Sequence, residues 1–214
     1  MVDIHATEEE QINQIKKWFK ENGKYLVAGV VLGAGAILGY RAYDAYQIEQ
    51  ARSASAAYEV VRDAAAAGNK EQAKTLGQEL ISQFPSSPYA THTALSLAVV
   101  ALDAGKPEDA VKQLQWVLDS NARDSLKHVA RLRLARTQLY SLNKASDALA
   151  TLDVKKMGEF AALYEELRGD AYVVIGDSLA AQAAYSAALD QWNDDLGSNQ
   201  LLQMKLADLT VVNE

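Results

Sequence analysis

The chain has 214 residues, 49% hydrophobic and 23% charged, which allows one domain with a substantial core. With 28 acidic and 21 basic residues the net charge is −7, and no clustered basic face stands out, which argues against a nucleic-acid partner. Cysteine is absent, excluding disulfides, zinc–thiolate sites and cysteine nucleophiles, and three prolines amid much alanine make an all-α fold the expectation.

In chain order, residues 1–24 read as a stub in which Ile12, Ile15 and Phe19 share one face of a short amphipathic helix ending near Gly23. Residues 25–40, YLVAGVVLGAGAILGY, carry no charge on any face. At about 1.5 Å per residue this run spans roughly 24 Å, a little short of a hydrocarbon core of about 30 Å. Lys24 and Arg41 can snorkel, and Trp18, Tyr25, Tyr40, Tyr43 and Tyr46 supply interfacial aromatics, so a transmembrane helix is expected. The long acidic leader with Glu8, Glu9 and Glu10, and the unbroken helical pattern after Arg41, favour an uncleaved signal anchor over a signal peptide. Lys16, Lys17, Lys20 and Lys24 precede the span, whereas only Arg41 and Arg52 closely follow it, which predicts a cytoplasmic N-terminus. Gly29, Gly33, Gly35 and Gly39 form two small-xxx-small pairs that would let another membrane helix approach.

After a helical connector over 41–54, residues 55–214 repeat. Ala73, Ala110, Ala148 and Ala181 each begin the packing face of a second helix, at spacings of 37, 38 and 33 residues. Five positions earlier stand Gly68, Gly105, Asn143 and Gly176, residues that tolerate a left-handed turn. Four positions after the alanines come Gly77, Leu114, Leu152 and Tyr185. This is close to the 34-residue tetratricopeptide period, so the domain is expected to be a tetratricopeptide-like α-solenoid of about four helical hairpins, with surplus residues in the inter-repeat turns. Leu201 to Leu209 would form a capping helix.

No catalytic pattern accompanies this architecture. His5, His92 and His128 lack partners at metal-ligand spacing, and no phosphate loop, GxSxG or dinucleotide fingerprint occurs. No enzyme and no cofactor are expected. Repeat stacks bind chains on their concave face, and repeat arithmetic assigns that face to the first helix of each hairpin. The candidates are Tyr58 and Arg62; His92, Leu95, Val99 and Leu102; Arg133, Thr137 and Tyr140; and Glu166 and Asp170.

The order of parts resembles the YfgM family of ancillary SecYEG translocon subunits over nearly the whole chain. The resemblance is carried by KKWFKENGKYLVAGVVLGAGAILGYRAY (16–43), QARSASAAYE (50–59), HVARLRLARTQL (128–139), LATLD (149–153), ALYEELRGDAYVVIGD (162–177) and the closing LLQMKLADL. It implies a single-pass bacterial inner-membrane protein with a periplasmic domain. The implied partners are the SecYEG translocon, a PpiD-like periplasmic chaperone and unfolded secretory proteins. It transfers no active site. The competing expectation is a structural scaffold or adaptor for cell-envelope or outer-membrane protein assembly.

Overall fold

The computed structural model describes residues 8–211; His5 lies outside them. Among the described residues the chain is helical, without strands. The helices are α1 (Glu8–Ala66), α2 (Lys70–Gln83), α3 (Pro88–Asp103), α4 (Pro107–Asp119), α5 (Asp124–Arg136), α6 (Ala145–Leu152), α7 (Ala161–Ile175), α8 (Ser178–Asp190) and α9 (Gln200–Val211). A π-helical turn, Thr137–Ser141, continues α5. The chain divides into two compact units, Met1–Arg52 and Ser53–Glu214.

In the first unit the expected helix end near Gly23 is not found: α1 runs through it. A lone glycine costs a helix only about 1 kcal/mol relative to alanine. Here its neighbours continue the helical ladder, and Asn22 Nδ2 donates to the Trp18 carbonyl one turn back at 3.1 Å. The 25–40 run is exposed on every face, with Val30 65%, Leu32 74% and Ile37 61% accessible. A helix that is apolar all round needs an apolar environment, and the unit supplies none. It is the one helix among the described residues long and apolar enough to cross a membrane.

The second unit is a run of helical hairpins. Its inner turns sit on Gly68, Gly105, Asn143 and Gly176, whose φ values are +78°, +68°, +55° and +89°. An L-residue with a Cβ is strained there, which is why three of the four are glycine and the fourth asparagine. Gly176 shows how the stop works: its N–H and that of Asp177 donate back to the Tyr172 carbonyl at 2.9 and 3.0 Å. The Asp177 carboxylate then accepts the Ala180 N–H at 3.0 Å, opening α8. Pro88 and Pro107 open α3 and α4, where a missing N–H removes no helical bond.

Ala73, Ala110, Ala148 and Ala181 are all buried, as are Gly77, Leu114, Leu152 and Tyr185. Each first helix also packs on the next. Val61 meets Ala90; Ala94 and Ala98 meet Ala130 and Leu134; Leu132, Ala135 and Leu139 meet Tyr164, Leu167 and Ala171. Helix α9 covers Tyr185 and Ala188 of α8 with Leu202, Leu206 and Leu209. The surplus residues of the longer repeats do not lengthen the turns between hairpins, since 84–87 and 120–123 are short. They lie in the helices themselves: α2 and α4 have 14 and 13 residues against eight in α6, and α5 has 13 before its five-residue π turn against 15 in α7.

Two close approaches set the helix spacing. A methyl group added at Gly169 of α7 would overlap the buried Tyr185 ring of α8. Gly77 of α2 leaves room for the Thr93 methyl and Leu97 of α3, and the buried Thr93 hydroxyl has no hydrogen-bond partner among the described residues. Two substitutions should therefore act with opposite sign. Gly169→Ala overpacks the seam and should cost about 1–3 kcal/mol. Thr93→Val keeps the shape, removes an orphaned hydroxyl, and should be neutral or stabilising by about 1 kcal/mol. Thermal unfolding of the two variants beside the parent chain checks both signs.

Candidate functional site

The expected groove residues fall into two groups. Val99 and Leu102 of α3, Arg133 of α5, and Thr137 and Tyr140 of the π turn line one cleft of about 370 Å³. Buried Ala98, Leu114 and Thr137 form its floor, Val99 and Leu102 its apolar wall, and exposed Arg133, Arg136, Tyr140 and Ser141 its rim. The π turn arranges this edge. Leu142 N–H reaches back five residues to the Thr137 carbonyl at 3.1 Å. The wider turn keeps Leu139 in the core, 1% exposed, while Tyr140 stands 58% exposed.

Tyr140, Glu166 and Asp170 meet in a polar clasp that sequence reading did not find, because its other members come from α8 and α9. Asp170 accepts from Tyr140 Oη at 2.6 Å and from Tyr185 Oη at 2.8 Å. Lys205 Nζ donates to Asp170 Oδ2 at 3.0 Å and Glu166 Oε1 at 2.8 Å, and it lies 5.8 Å from the Tyr185 ring centroid. Burial and the hydrogen bonds to the Asp170 carboxylate push the Tyr140 and Tyr185 phenols above the usual tyrosine range. Burial works to lower the Lys205 ammonium, but its bonds to Asp170 and Glu166 outweigh that and raise it.

The remaining candidates are elsewhere or beneath the surface. Leu95 and Thr137 are buried, 7% and 3% exposed; Thr137 forms part of the cleft floor, whereas Leu95 does not line the cleft. Leu95 belongs to the cluster of Ala98, Leu114 and Leu134. Tyr58 is half-buried, its ring 5.3 Å from that of Tyr89, and Arg62 is exposed beside Asp63. His92 lines a separate hollow with Arg123 at the ends of α3 and α5. His128 is a packing residue, hydrogen-bonded to the Tyr164 hydroxyl at 2.9 Å and stacked on Phe160. Gly29, Gly33, Gly35 and Gly39 have open space where a Cβ would stand.

A tetratricopeptide repeat-like domain model matches residues 16–211. The chain is 34% identical over 210 residues to the ancillary SecYEG translocon subunit of Escherichia coli (strain K12), covering 98% of this chain and 100% of that one. The chain belongs to this family. The proteins of the same name from Haemophilus influenzae and Neisseria gonorrhoeae are 33% and 32% identical. Those matches cover 94% and 96% of this chain and 97% and 98% of the relatives. In this family member, span and hairpins alike fall within the shared length.

The clasp has a pH signature. Groups whose protonated form the fold favours contribute fully below their unfolded values, about 10.0 for tyrosine and 10.5 for lysine, and lose that contribution as pH rises through the raised folded values. The denaturant midpoint should stay level from about pH 7 to 9 and fall above about pH 10. Asp170→Asn should lower the midpoint at neutral pH by the equivalent of about 2 kcal/mol and flatten the alkaline fall. Equilibrium denaturation across this range measures both.

Proposed function

We propose that this chain is a non-enzymatic subunit attached to the SecYEG translocon. It sits in the bacterial inner membrane by the 25–40 helix, with its N-terminus cytoplasmic and its hairpin domain periplasmic. The domain holds a PpiD-like chaperone, emerging secretory chains, or both, and so assists export and folding. The observation that carries this reading is the match along nearly the whole chain to relatives named as translocon subunits. The fully exposed apolar helix and the lysine bias before it support the membrane placement. The cleft between α3 and α5 supplies a surface for extended chains.

Contact through the span predicts that Gly29→Leu with Gly33→Leu removes the chain from translocon preparations, because the added side chains hold a neighbouring helix off. Recovery equal to that of the parent would rule the span out as the contact. Absence of native cysteine makes orientation directly measurable. In intact cells with a permeabilised outer membrane, a membrane-impermeant maleimide should label Ser141→Cys and leave Gln11→Cys unmodified. The reverse pattern would invert the proposed topology.

A further inference from the structure

We infer that the α3–α5 cleft selects an extended peptide bearing an aliphatic side chain with a carboxylate within two residues of it. This rests on the reading of the hairpin domain as a surface for extended chains and specifies what that surface prefers. The size of the cleft is the first observation. At about 370 Å³ it stands at the low end of ligand sites, which run roughly 300–1,000 Å³. It holds one aliphatic side chain with its flanking backbone rather than a folded element. The wall that such a side chain would touch, Val99 and Leu102, is apolar, and Val99 is 44% exposed with nothing over it.

Charge is the second observation, and it is asymmetric. Arg133 and Arg136 both stand on the rim, and neither makes an ion pair among the described residues. Carboxylates are close by along the chain fold, but they are already engaged: Glu166 and Asp170 share Lys205, and Asp170 also accepts two phenol hydroxyls. Tyr140 belongs to both sites, with its hydroxyl held by Asp170 and its ring at the cleft edge. The clasp therefore gives both carboxylates partners of their own, two against one ammonium, and leaves the arginines open, in a protein whose net charge of −7 would otherwise repel an acidic segment. A guanidinium offers a planar fork of donors matched to a carboxylate. In an extended chain, residues two apart return to the same side, which lets one ligand fill the apolar wall and reach the arginines.

The test uses the full chain in detergent micelles and fluorescein-labelled nonapeptides with a Gly/Ser frame. One carries Leu at the centre and Asp two residues on; one has Lys for that Asp; one has Ser for that Leu. Fluorescence anisotropy should show the Leu/Asp peptide binding about tenfold tighter than the Leu/Lys peptide. Arg133→Glu with Arg136→Glu should reverse that preference while leaving the circular dichroism melt in place, since both side chains are exposed. Val99→Ser should erase the advantage of Leu over Ser. Equal binding of the Asp and Lys peptides, an unreversed preference in the double variant, or no saturable binding of any peptide would each overturn the inference. Co-purification of the same double variant with the translocon reads out the broader function independently: if it persists while peptide selection fails, only the cleft assignment falls.

Discussion

The hairpin domain depends on how closely its helices can approach. A two-helix unit of this length cannot bury its own apolar face, so each hairpin is stable only against its neighbours. The neighbours meet through small residues: Ala94, Ala98 and Ala130 along one seam, Ala135 and Ala171 along the next, and Gly77 against Thr93 and Leu97; within the last hairpin Gly169 does the same against Tyr185. Dispersion falls off steeply with gap width, so the many short contacts these residues permit matter more than any single large side chain. The left-handed turns at Gly68, Gly105, Asn143 and Gly176 serve the same end by reversing the chain without a wide loop.

Polar interactions have a different distribution. Single ties such as Lys74–Asp109 and His128–Tyr164 join helices along the stack, and the densest group lies where α7, α8 and α9 meet. There Asp170 joins three donors from three elements, and α9 is fixed both by Leu202 below and by Lys205 above. Arg168 ties α7 back to α6, bonding Glu165 and the Leu152 carbonyl at 2.6 and 2.8 Å. An apolar seam sets spacing but not azimuth, whereas directional bonds set both. The clasp therefore gives the last described helix one orientation on the stack.

Much of this was legible in the sequence, and the reasons differ by residue. The alternation of a turn residue with an alanine five positions on is a local requirement, since left-handed backbone and close packing each restrict the residue type. The uncharged run from Tyr25 was legible because few environments accept a helix without a polar face. Counting helical turns places Leu95 and Thr137 on the groove, whereas Leu95 lies in the core and Thr137 on the cleft floor. One residue of phase separates the buried Leu95 and Ala98 from the open Val99, and the π turn after Arg136 shifts phase again, which a fixed period cannot anticipate. Lys205 was invisible for another reason: its partners lie 35 and 39 positions away, where nothing local marks the pairing. Gly23 does not end its helix, because the apolar run after it continues the helical pattern.

The Gly169–Tyr185 contact carries a consequence for how such a protein can drift. The large ring occupies the place that a side chain at 169 would take, so the two positions share one volume and neither can be altered by itself at small cost. Acceptable change has to arrive as a pair, a smaller ring site matched by a new methyl across the seam. Because the Tyr185 hydroxyl is also committed to Asp170, the pair is tied in turn to the clasp. Sites 169, 170 and 185 therefore constitute a single heritable character, and descendants of this chain should vary there in concert or not at all.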